Sequence, residues 1–138
     1  MGRALKWLGI AAGALAVLLA AGVALTVWSI EQPRRERCRG RERFDALAWH
    51  AGSVRAVDPR GVRGCMVDDL LARHDLRGWP RARVTDLLGA PDSTGYFRQY
   101  DLVYWLGPER GAISIDSEWL VLKLDGAGRV AEYRLITD

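Results

Sequence analysis

Very few residues in this 138-residue chain have the type and spacing to do chemistry. His74 stands beside Asp75, which suggests a general base with its orienter. Adjacent helical residues point in different directions, so the two cannot form that pair. Asp68 and Asp69 offer half of a metal site, but no complementary ligand cluster accompanies them. Acids at a helix start are better explained by the dipole. Ser114, Asp116 and Ser117 lie beside one strand with no nearby His and no nucleophile elbow. A phosphate-binding Gly motif is absent. Cys38 and Cys65 are the only cysteines, without C-x-x-C spacing and without a metal pattern when taken with His50 and His74. Either they pair in an oxidising compartment, closing a loop that contributes roughly 3–4 kcal/mol, or they are unrelated thiols. The expectation is a binding protein, not an enzyme, with no cofactor and no metal.

The elements that would carry these residues begin with a charge-free run of Ala, Leu, Val and Gly from Trp7 to Ile30. As one helix it spans roughly 36 Å, enough for a hydrocarbon core of about 30 Å. Residues 1–31 therefore read as a single N-terminal transmembrane helix, with a cleaved signal peptide as the rival. Gly9 and Gly13 form a small-xxx-small pair, through which two such helices would pack as a homodimer. Residues 32–64 read as an Arg-rich juxtamembrane linker that could rest on membrane lipid. It includes one helical turn capped by Asp45, with Phe44, Leu47 and Trp49 tucked against the domain. Asp58–Pro59, Gly61 and Gly64 read as turn and loop. Residues 31–65 hold nine Arg against five acids, whereas residues 66–138 hold nine Lys or Arg against twelve acids. The basic charge lies outside the folded module, which argues against nucleic acid.

Residues 65–138 read as that module, of α+β class. Met66–Leu76 forms a first helix with Met66, Leu70 and Leu71 inward. After a turn at Gly78, Pro80–Leu88 forms a second, with Val84, Leu87 and Leu88 on its apolar face. Gly89 takes the C-cap and Pro91 forbids continuation. From Tyr96 the period becomes two, with Tyr100, Leu102, Tyr104 and Leu106 alternating with Val103 and Trp105. Leu120, Leu122 and Leu124 alternate with Trp119, Val121 and Lys123, and Arg129–Ile136 makes a last strand needing a bulge. The expected order is ααβββ: two helices on one face of a three-stranded antiparallel meander.

Val84-x-x-Leu87-Leu88-Gly89-x-Pro91, Tyr104-x-Leu106-Gly107 and Leu120-x-Leu122 with Asp125-x-x-Gly128-Arg129-Val130 together resemble the SmpA/OmlA (BamE-like) domain family. The resemblance covers about residues 66–138 and lacks the family's lipidation site, since Cys38 follows Arg37 far beyond the apolar run. It implies a non-catalytic, membrane-anchored accessory or stabilising module of the bacterial envelope that binds proteins, similar to outer-membrane assembly factors. Two alternatives stand beside it: an inhibitor or sensor binding an envelope enzyme, and a small structural subunit acting through its membrane helix. The expected location is the cytoplasmic membrane, single-pass, with the domain outside. The six Arg between residues 34 and 43 argue the opposite orientation. Trp105, Trp119 and Val121 fall on the sheet face away from the helices. They form either a partner surface or a patch covered by Phe44 and Trp49.

Overall fold

The computed structural model describes residues 13–29, 38–52, 61–110 and 115–138. The chain divides into two compact units, Met1–Glu36 and Arg37–Asp138. In the first, residues 13–29 form one helix (α1), exposed along its whole length. Among the described residues no helix is long and apolar enough to cross a membrane, which corrects the expected transmembrane helix. Trp7, Gly9 and Ile30 lie outside the described residues, so the Gly9–Gly13 pairing does too.

The second unit contains α2 (Ala46–Ala51), α3 (Val62–Arg73), α4 (Arg81–Leu88), β1 (Leu102–Pro108), β2 (Ser117–Leu124) and β3 (Val130–Thr137). The strands form an antiparallel meander of order β1-β2-β3, with the helices on one face. The α+β class and the three strands match the expectation. Alternate residues of β1 and β2 go to opposite faces, both buried: Leu102, Tyr104 and Leu106 meet Leu120 and Leu122 over Met66, Val67, Leu70, Val84 and Leu88, while Val103, Trp105, Trp119 and Val121 lie on the other side. The expected bulge lies in β3. Lys123 pairs with Glu132 but Leu124 with Val130, so the extra residue Ala131 lets Val130 face the helices together with Tyr133 and Leu135.

Several expectations need correction, beginning with the helix count: three helices, not two, precede the strands of this unit. The first module helix starts at Val62, four residues before Met66, and runs through Gly64. Gly61 precedes it at φ +68, where a Cβ would stand 2.3 Å from the Gly107 Cα. The loop reading failed because these glycines permit close backbone approach and do not break the helix. The linker is also shorter than expected. Residues 38–52 are packed into the folded unit: Cys38 is bonded to Cys65, Phe44 N–H donates to Asp69 at 2.7 Å, and Trp49 is fully buried in the helix-side core. Asp45 does cap α2, accepting from Ala48 N–H at 2.8 Å. Leu47, expected to tuck inward, is 82 % exposed. The second helix begins one residue late because Pro80, at ψ 150, is its N-cap and bridges to Arg129.

Candidate functional site

Two features of the second unit concentrate buried polar and aromatic side chains. One is centred on Arg63, which α3 carries into the interior at 1 % exposure. Its Nε donates to the Trp49 carbonyl at 2.8 Å and one terminal nitrogen to Asp92 Oδ2 at 2.8 Å. That nitrogen also reaches the Trp105 carbonyl at 3.4 Å. The guanidinium carbon lies 5.2 Å from the Trp49 ring centroid and 5.8 Å from that of Tyr104. Burial lowers the Arg63 pKa and the Asp92 charge opposes that shift. A guanidinium stays protonated under such conditions. Asp92 Oδ2 also accepts the Trp105 N–H at 2.7 Å, and Asp92 N–H donates to the Val103 carbonyl at 2.8 Å. Arg63 and Asp92 therefore occupy the outer backbone groups of β1, as a neighbouring strand would.

The other feature is the sheet face away from the helices. Val103, Trp105, Trp119 and Val121 form a second core there, with Phe97, Tyr100 and Ile136 against it. The segment 92–101 crosses this face as a strap. Asp92 fixes its start; at its end Asp101 N–H donates to the Leu122 carbonyl and Asp101 Oδ2 accepts from Leu124 N–H. Between them Phe97 sits at φ 57, unusual for a bulky residue. Its ring meets Trp119 edge-on at 5.8 Å, and Tyr96 lies 6.3 Å from the same indole.

Trp105, Trp119 and Val121 are thus brought together, but not as a partner surface. Trp119 is 6 % exposed and Val121 fully buried, because the strap covers them. The cover is not Phe44 and Trp49 either, which pack on the helix side. Val84 and Leu88 are buried in the main core, Leu87 is half-buried against it, and Gly89 ends α4 at φ 78 ahead of Pro91. Cys38 and Cys65 form a disulfide with Cα atoms 5.3 Å apart.

The remaining chemistry-bearing residues are used as ties. Arg110 joins Asp68 of α3 at 2.7 Å to Glu118 of β2 at 2.6 Å. His74 meets the Phe44 and Trp79 rings edge-on, at 6.3 and 5.6 Å, rather than pairing with Asp75. Asp69 accepts from Phe44 N–H and bonds Arg73, and these contacts hold its carboxyl below the usual range. Ser114 lies outside the described residues. Among the described residues no three His, Cys, Asp or Glu side chains gather as a metal site. The sequence pointed to neither Arg63 nor Asp92. In a chain with eighteen arginines, one buried guanidinium carries no local signal. No protein-family model, curated protein or solved structure matches the chain.

Proposed function

We propose that this protein is a non-catalytic, protein-binding accessory module of the bacterial cell envelope, with its folded unit on the exported side. The observation that carries this reading is the Cys38–Cys65 disulfide, both sulfurs buried against α3, in a chain with no other cysteine. Stable disulfides belong to oxidising compartments. The resemblance to the SmpA/OmlA (BamE-like) domains supports the same location and a binding role. The use of charged groups as ties between segments supports binding over catalysis: Arg63 to Asp92, and Arg110 to Asp68 and Glu118.

The test has two arms in intact cells. Thiol alkylation before and after reduction should find Cys38 and Cys65 blocked, and a compartment reporter fused after Asp138 should be active only outside the cytoplasm. Cross-linking in the same cells should give a discrete higher-mass species containing this chain and another envelope protein. Free thiols together with a reporter active only in the cytoplasm would sink the location. A chain that cross-links to nothing would sink the binding role.

A further inference from the structure

The two edges of the sheet are treated differently. On β1 the outward carbonyl of Val103 and both outward groups of Trp105 are occupied by Asp92 and Arg63. On β3 only the start is closed, where Val130 exchanges hydrogen bonds with Gly78 N–H and the Trp79 carbonyl. Beyond the bulge the register decides which groups face out. Asp138 N–H donates to the Ser117 carbonyl, and Ile136, Arg134 and Glu132 pair with Trp119, Val121 and Lys123. These residues turn their backbone toward β2, so Tyr133, Leu135 and Thr137 turn theirs away. Among the described residues nothing donates to or accepts from those outward groups. Tyr133 and Leu135 are half-buried at this rim on the helix side. On the other side Glu132 and Arg134, 3.0 Å apart, stand with Ile136.

Resting on the protein-binding reading above, we propose that the open edge of β3 receives an extended segment of a partner protein as a fourth, antiparallel strand. The partner would carry an acid opposite Arg134 and a base opposite Glu132. Main-chain bonds to Tyr133, Leu135 and Thr137 supply the attachment, and the side chains supply selection. Glu132, Arg134 and Ile136 would occupy the non-hydrogen-bonded positions of the new pair, where opposite side chains are closest. Read along the partner from its N-terminal end, the fit is apolar, apolar, acid, apolar, base. A second copy of this chain does not supply that charge match. The symmetric register that sets Glu132 against Arg134 of the copy would drive the copy's Ile136 and Thr137 alongside Val130 and Arg129. Gly78–Pro80 already lies there. A register centred one residue further on sets Arg134 against itself. Charges and a bulge on an edge also repel indiscriminate pairing, so the charge pair selects as well as attracts.

The experiment uses the full chain and two peptides, each with the core flanked by Thr: Val-Leu-Glu-Val-Lys and its charge-swapped form Val-Leu-Lys-Val-Glu. Titrations are followed by amide chemical shifts and by fluorescence. The matched peptide should bind about tenfold more tightly than the swapped one, from two favourable against two unfavourable cross-strand pairs. The amides of Tyr133, Leu135 and Thr137 should move most. The double variant Glu132→Arg with Arg134→Glu keeps the intramolecular ion pair, so it should fold normally and reverse the preference. Equal affinities, no binding of either peptide, or shifts centred elsewhere would overturn the edge proposal. Cross-linking to another envelope protein in cells would then still hold the protein-binding reading, whereas loss of the cross-link alone would fail that reading.

Discussion

Arg63 shows how much one side chain can decide. A cation almost without water is tolerable because Asp92 neutralises it and two carbonyls also accept from it. Replacing it by Met leaves Asp92 partly buried without its cation, and should cost about 3–5 kcal/mol in denaturant unfolding. Adding Asp92→Asn to Arg63→Met should recover part of that loss; strictly additive losses would show that the two groups do not act as a pair. Tyr104 gives a pH signature. Its hydroxyl donates to the Gly89 carbonyl at 3.0 Å, and burial pushes its pKa from 10.0 to about 12, against the opposing pull of Arg63. With the folded value raised, the unfolded chain ionises first. Stability is intact below pH 10 and falls through about pH 12, by about 2–3 kcal/mol. Tyr104→Phe should lower stability near neutrality by about 1 kcal/mol and flatten that alkaline decline. An unchanged decline would place its origin in another group. Of these residues the sequence exposed only Tyr104, through its place in the alternation of β1. The partners of Arg63 come from Trp49, Asp92 and Trp105, positions that nothing in their spacing connects.

At the level of elements, legibility followed the strength of the pattern. α4 reads clearly because Val84, Leu87 and Leu88 recur at helical spacing between Pro80 and Gly89. β1 and β2 read clearly because each carries a run of apolar and aromatic residues, buried on both faces. The start of α3 was hidden by Gly61 and Gly64, which look like breakers in a linear reading. In three dimensions a Cβ on Gly61 would lie 2.3 Å from Gly107 Cα and 2.6 Å from the Leu106 carbonyl, at a backbone angle that L side chains rarely adopt. Gly61→Ala should therefore destabilise the unit by about 1–3 kcal/mol, with Gly107→Ala similar. Calorimetric melting tests this, and an unshifted midpoint in both variants would mean the two backbones do not touch. In sequence the strap over the outer face reads as the start of a strand because Tyr96, Tyr100, Leu102 and Tyr104 share one parity. Phe97 in the left-handed region and the Tyr100-to-Phe97 backbone bond turn the chain there instead. That turn converts an apparently exposed aromatic face into a second small core.

For the molecule as a whole, the question is what holds residues 38–52 on the folded unit. The sequence places them in a linker because their arginines dominate locally, although Phe44 and Trp49 already read as tucked against the domain. Two kinds of tie are present. The Cys38–Cys65 bond closes 27 residues and acts mainly on the unfolded chain, contributing roughly 3–4 kcal/mol. The non-covalent ties act on the folded state: Trp49 is fully buried, its carbonyl accepts from Arg63, Phe44 N–H donates to Asp69, and His50 Nε2 lies 3.0 Å from the Leu87 carbonyl. Burial of one Trp alone is worth about 3–5 kcal/mol by truncation, comparable with the crosslink. Removing the disulfide by Cys38→Ser with Cys65→Ser should therefore lower global stability by roughly 3–4 kcal/mol while leaving α2 seated. Unfolding should remain one cooperative transition at a lower midpoint, and amides of α2 should stay protected from hydrogen exchange alongside those of α3. If α2 instead exchanged freely while α3 and the sheet kept their protection, the covalent bond rather than Trp49 would be what fastens the segment. Trp49→Ala in the oxidised protein gives the converse: the chain stays tethered at Cys38, but the Arg63 guanidinium loses the ring on one side. Its loss should exceed that of Phe44→Ala, because Phe44 is only half-buried at the rim of the same core.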